Sequence, residues 1–77
     1  MLDPIIVGDV IRRYREGKGL SQEVLSGLAD IGRTHLSAIE RGERRPTLDT
    51  FYKIAEALQI KPSEIMATIE EEINRLK

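Results

Sequence analysis

The chain has no cysteine and only one histidine, which excludes a disulfide framework and leaves no ligand set for a zinc cluster. It contains no apolar run near the ~20 residues that cross a bilayer. No basic region precedes the apolar residues of the N-terminal MLDPIIVGDV. The expectation is a cytoplasmic protein with no metal, cofactor or membrane contact. An excess of basic residues is missing too: 12 Lys and Arg against 13 Asp and Glu give a net charge of −1, where a nucleic-acid-binding domain is usually basic. The 77 residues, 40% hydrophobic and 32% charged, suit one small domain. A domain of that size buries only about 60–65% of the surface its unfolded chain exposes, so it gains from a second subunit.

What the chain does contain is helical patterning in five stretches. Asp3 followed by Pro4 is a helix start, cap then first position. The first helix should run over residues 4–18, with Val7, Ile11 and Tyr14 facing the core and Ile6 and Val10 forming a second apolar edge. GKGLS at its end lacks the spacing of a phosphate loop. Ser21 can cap a second helix, 21–29, whose expected buried stripe is Val24, Leu25 and Leu28 with the small Ala29. Asp30, Ile31 and Gly32 read as a tight turn, Asp because it tolerates a left-handed backbone and Ile31 as an inward plug. A third helix, 33–41, ends at Gly42 and puts Leu36 and Ile39 on one face. Arg33, Thr34, Ser37, Ala38 and Arg41 lie towards the other.

Thr47 caps a fourth helix, 47–58, with Leu48, Phe51, Ile54, Ala55 and Leu58 at core spacing. Tyr52 falls off that stripe and reads as a half-exposed aromatic or as a phosphate or subunit contact. Pro62 opens a fifth helix, 62–76, whose apolar stripe is Ile65, Ile69, Ile73 and Leu76. That stripe extends almost to the chain end and must be covered, by Ile6 and Val10 of the same chain or by a second subunit. The four residues are therefore the expected dimer interface. Glu70, Glu71 and Glu72 point in different directions around this helix, so they form a solvated surface rather than a metal or acid–base site. No residues suggest a catalytic set or a small-molecule pocket, and an enzyme is not expected.

Two short helices joined by a tight turn over residues 21–42 have the spacing of a helix-turn-helix. The stretch resembles the Xre and lambda-repressor/Cro-like family of DNA-binding regulators through Leu20, Ser21, Gln22, Leu25, Ala29, Ile31, Arg33, Thr34, Leu36, Ser37, Ile39, Glu40, Gly42, Pro46 and Leu48. The short chain and the run RTHLSAIERG look most like small stand-alone repressors and restriction-modification controller proteins. The sequence departs from the pattern at Asp30, where the family usually has Gly, and at Gly32, where it usually has a capping side chain.

The resemblance implies an all-α, five-helix domain that binds double-stranded DNA as a homodimer and regulates transcription from a near-palindromic operator. The third helix would be the recognition helix. Its first turn points into the major groove, where Arg33 can bind guanine bidentately, or instead hold a phosphate, and the Thr34 methyl can meet that of thymine. His35 is a third candidate for a base contact, against a pH switch or a surface residue without a role. Ser37 and Ala38 are small enough to let the helix sit deep in the groove. By the resemblance Gln22 holds a phosphate, and Arg15 and Glu40 form a partly buried structural ion pair. Arg41, Arg44 and Arg45 are expected on phosphates, with Glu43 able to pair with one of them. The alternative is a protein-interaction module such as an antitoxin, which would present a more apolar and aromatic face over residues 33–45.

Overall fold

The structure, a computed structural model, describes residues 1–76. Five helices follow one another: α1 (Pro4–Gly17), α2 (Gln22–Ala29), α3 (Arg33–Glu40), α4 (Leu48–Leu58) and α5 (Pro62–Arg75). Three start on side-chain caps. Asp3 accepts from the Ile5 amide at 2.9 Å, Ser21 from Val24 at 3.0 Å and Thr47 from Thr50 at 3.1 Å. Helices α3 and α5 start without one, and α5 carries Pro62 in its first turn. This places every helix within a residue or so of its expected span.

Four helices end in the same paired bonds, in which the residue at positive φ donates to one carbonyl of the last turn and the next residue donates further back. The positive-φ residues are Gly19, Asp30, Gly42 and Gln59. The bonds are Leu20 to Arg15 at 3.1 Å, Ile31 to Ser26 at 3.0 Å, Glu43 to Ala38 at 2.9 Å and Ile60 to Ala55 at 3.1 Å. Glycine holds this conformation without strain and Asp tolerates it, whereas Gln59, at φ 58, does neither. Gln59→Gly should therefore stabilise the protein by about 0.5–1 kcal/mol, a rise in Tm of roughly 2–8 °C. Thermal unfolding followed by circular dichroism checks this; an unchanged or lower Tm would mean that the left-handed turn carries no strain.

Helix α1 packs on α3 and α5, α2 on α3 and α4, and α4 on α5. The buried core takes Val7, Val10 and Ile11 from α1, Leu25 and Ala29 from α2, and Leu36 and Ile39 from α3; α4 adds Phe51, Ile54, Ala55 and Leu58, and α5 adds Ile65 and Ile69. Several expectations are corrected here. Val24 and Leu28 are 49% and 62% exposed, because α2 is only eight residues long and turns the Leu25–Ala29 line inward; these two stand one residue round the helix from it. Ser26 is buried in their place, its hydroxyl donating to the Glu23 carbonyl at 3.1 Å. Leu48 is 80% exposed. Side chains on a helix lean towards its N-terminus, so a first-turn residue projects past the packed stripe.

The largest correction concerns α5. Ile65 and Ile69, expected to face a second subunit, are fully buried in the core of their own chain and have no surface left to offer. Their cover includes α1, on which Val10 is itself fully buried and Ile6 packs against the core. Ile73 is half-buried, and of the expected stripe only Leu76 stands well clear of the core. Polar bonds reinforce the α1–α5 seam. The Tyr14 hydroxyl shares a 2.6 Å hydrogen bond with that of Thr68. Glu72, expected in a solvated run, accepts from Arg13 at 2.6 Å and Arg75 at 2.8 Å, and its carboxyl is held below the usual range by Arg75 and then Arg13.

Candidate nucleic-acid interface

Helix α3 is fixed from behind so that its opposite face is free. Leu36 and Ile39 anchor it in the core, and Glu40, in its last turn, is buried with them. A buried carboxylate needs a counter-charge and donors for its oxygens. Arg15 supplies both in a two-pronged bond, Nε to Oε2 at 2.7 Å and Nη2 to Oε1 at 2.9 Å. The guanidinium is raised above its ordinary pKa, chiefly by this hydrogen bond. Its Nη1 also donates to the Leu20 carbonyl at 2.8 Å, tying in the segment that leads to α2. The expected structural pair is thus present, with side-chain exposures of 11% for Arg15 and 2% for Glu40.

Gln22 joins the same cluster: its amide donates to Glu40 Oε1 at 3.0 Å. The resemblance implied a phosphate contact for Gln22 and gave no sign of this bond, since residues 18 apart in sequence meet only through the fold. The bond locks the first turn of α2 to the last turn of α3 and orients Gln22 at the edge of the outer face. One amide N–H and the amide oxygen remain available there.

The turn between the helices follows its expected chemistry. Asp30 takes the left-handed conformation at φ 56 and ψ 46, Ile31 packs against the core, and Gly32 caps α3 with no side-chain bond. Arg33 and Thr34 then stand exposed at the start of α3, and His35, Ser37 and Ala38 are half-buried. Arg33 makes no ion pair among the described residues, nor does Arg44. Among the described residues, Arg45 reaches the Met1 sulfur, at 3.5 Å. A shallow cleft along this surface is lined by Thr34, His35, Ala38, Arg41, Glu43 and Arg44. Thr34, His35 and Ala38 thus share a cleft with Arg41 and Arg44, whereas Arg45 borders the apolar groove between Leu2, Leu48 and Met66. Of the acids within residues 33–45, Glu40 is paired with Arg15 inside and Glu43 with Arg41, which leaves Arg33 and Arg44 without an ion pair among the described residues.

Arg41, expected on a phosphate, is paired with an acid in this structure. It binds Glu43 through two bonds, Nε to Oε2 at 2.9 Å and Nη2 to Oε1 at 3.1 Å, and its Nη1 donates to the Ser37 hydroxyl. The pair raises the arginine pKa and lowers that of the carboxyl, each mainly through the shared hydrogen bonds. Residues two apart do not meet on a helix. The left-handed turn at Gly42 brings them together, so periodicity could not single out Arg41 among the three arginines. The guanidinium expected on a phosphate is occupied from within the chain.

A family profile described as Helix-turn-helix matches residues 11–65. An uncharacterised HTH-type transcriptional regulator of Sinorhizobium fredii, y4dJ, is 36% identical over 66 residues, which is 86% of each chain. Control protein C.BamHI of Bacillus amyloliquefaciens is 38% identical over 63 residues, 80% of this chain and 78% of its own. Among solved structures, the restriction-modification controller protein C.AhdI of Aeromonas hydrophila superposes with a TM-score of 0.80 at 38% identity, covering 84% of this chain and 98% of that one.

Proposed function

The chain belongs to the helix-turn-helix family, and from that premise we propose that it is a sequence-specific regulator of transcription that binds double-stranded DNA as a homodimer. The observation that carries this reading is the outer face of α3: Arg33 and Thr34 exposed at its start, small side chains behind them, and the inner face held by Arg15 and Glu40. Inserted in the major groove, Arg33 and Thr34 reach base edges, His35 lies beside them, and Ser37 and Ala38 let the backbone approach. Arg44, Arg45 and the remaining N–H of Gln22 meet phosphates and set the docking angle. The likeness to C.BamHI and C.AhdI supports a small regulator of the controller kind. It acts by occupying its operator in the cytoplasm, with no cofactor.

Because Ile65 and Ile69 are spent in the core, the dimer surface is drawn from what they leave outside. Ile73 and Leu76 on α5 continue into Met66, Leu2 and Leu48, which border two adjoining apolar grooves. A twofold dimer would space two recognition helices about 34 Å apart, one turn of DNA, and would read a near-palindrome.

Arg33→Ala should cost about 1–3 kcal/mol on the best site and less on random duplex. Arg44→Ala should weaken both alike and reduce the slope of log affinity against log salt by about 0.9 per subunit. Selection of bound fragments, footprinting and titration of these variants test the reading together. Equal losses for Arg33→Ala on both DNAs would reassign that residue to a phosphate. Protection of a single half-site would remove the dimer, and no preference among sequences would remove the regulator.

A further inference from the structure

The remaining acid on the outer face has no place in a surface built for phosphate. Glu43 lines the same cleft as Thr34, His35, Ala38 and Arg44. Its backbone is pinned over the end of α3, where its amide donates to the Ala38 carbonyl at 2.9 Å behind the positive-φ turn at Gly42. Pinned there, its carboxylate takes the Nε and Nη2 hydrogens of Arg41 in the planar, two-bond geometry by which a guanidinium would otherwise hold a phosphate. Ser37 takes a hydrogen of Nη1.

We infer that Glu43 is an internal substitute for phosphate: it withholds Arg41 from the DNA backbone and so limits the sequence-independent affinity of the recognition surface. The inference rests on the reading of α3 as the DNA-binding face and adds a residue that sets how strongly that face holds any duplex. An exposed ion pair adds little to stability; what this one does, on this inference, is compete with phosphate for Arg41. A carboxylate two residues away is present at the high effective concentration of an intramolecular ligand. A phosphate that displaced it would be left beside an uncompensated negative charge. The surface thus engages one phosphate fewer per subunit than its arginines would allow. Base contacts by Arg33 and Thr34 are untouched, and the protein leaves non-cognate DNA more readily.

The test is Glu43→Gln, which removes the charge and keeps the shape, titrated onto random-sequence duplex by fluorescence anisotropy in the intact protein. The variant should bind more tightly, with a salt slope steeper by about 0.9 per subunit. Its advantage over the unaltered protein should thus grow about 3.5-fold per subunit as salt falls from roughly 200 to 50 mM. Adding Arg41→Gln should return the slope to its original value. An unchanged slope in Glu43→Gln, with normal binding by the unaltered protein, overturns the inference and leaves the DNA reading intact. So does a slope that stays steep in the double variant, because the gain would then be simple relief of repulsion. If the unaltered protein shows no salt-dependent binding to duplex, both readings fall. Equal melting temperatures for the three proteins show that binding differences do not come from unfolding.

Discussion

Glu40→Ala should cost about 3–5 kcal/mol of stability, a large share of the total for a domain of this size. The carboxylate receives three hydrogen bonds, two from Arg15 at 2.7 and 2.9 Å and one from Gln22 at 3.0 Å, at a side chain only 2% exposed. Its removal leaves the Arg15 guanidinium, itself 11% exposed, with a charge it can neither shed nor fully hydrate. The loss measures that stranded charge more than any attraction in the pair. Replacing both partners, as in Arg15→Met with Glu40→Leu, should therefore cost much less than the two single changes together. Urea unfolding of the four proteins gives the coupling. Small, additive losses would show that the pair does not brace α3. Because Glu40 closes the last turn of α3 onto α1 and α2, DNA binding by the single variant should fall with the fraction folded.

Gly8→Ala should also destabilise, by less than Glu40→Ala, and its sign runs against helix propensity. Inside a helix, Ala is favoured over Gly by about 1 kcal/mol. At Gly8, however, an added Cβ would lie 2.1 Å from the Ile39 carbonyl oxygen and 2.8 Å from that of Glu40. Both are backbone atoms at the end of α3, so no side chain can swing aside; α1 and α3 must separate. Overpacking of this kind costs about 1–3 kcal/mol and occasionally more, enough to outweigh the propensity gain. The separation would also stretch the Arg15–Glu40 bridge between the same helices. Gly27, in α2, provides the control: a Cβ there meets nothing within 4 Å, so Gly27→Ala should be neutral or stabilising by up to about 1 kcal/mol. Thermal and urea unfolding distinguish the two. A Gly8→Ala protein as stable as the original would mean that α1 does not approach α3 this closely.

The local chemistry of helix ends was legible in the residues themselves. Asp3 with Pro4, Ser21, Thr47 and Pro62 mark starts because a cap or a proline acts on amides one to three residues away, and Gly42 marks a stop because left-handed backbone suits glycine. The outer face of α3 was legible for a similar reason. A helix that buries Leu36 and Ile39 at one side must present Arg33, Thr34, Ser37 and Ala38 elsewhere, whatever it packs against.

Other features depended on what stands opposite. Periodicity says that α2 buries one side, but consecutive residues lie about 100° apart on a helix, so an eight-residue stretch fits two neighbouring arcs. Contact with α3 and α4 selected Leu25, Ser26 and Ala29 over Val24 and Leu28. The stripe on α5 was visible as apolar, yet an apolar stripe carries no label for its cover. Packing against α1 and α4 gave Ile65 and Ile69 to the chain's own core. Gly8 looked like any helix glycine until Ile39 was brought against it. Arg41 found Glu43, and Gln22 found Glu40, because a turn and a helix crossing set their distances. Sequence alone determined the five helices, most of their ends and the polar face of α3, since these follow from interactions within a few residues. The tertiary structure decided which apolar surface stayed free and which arginines stayed unpaired, because burial and charge pairing are properties of two surfaces at once.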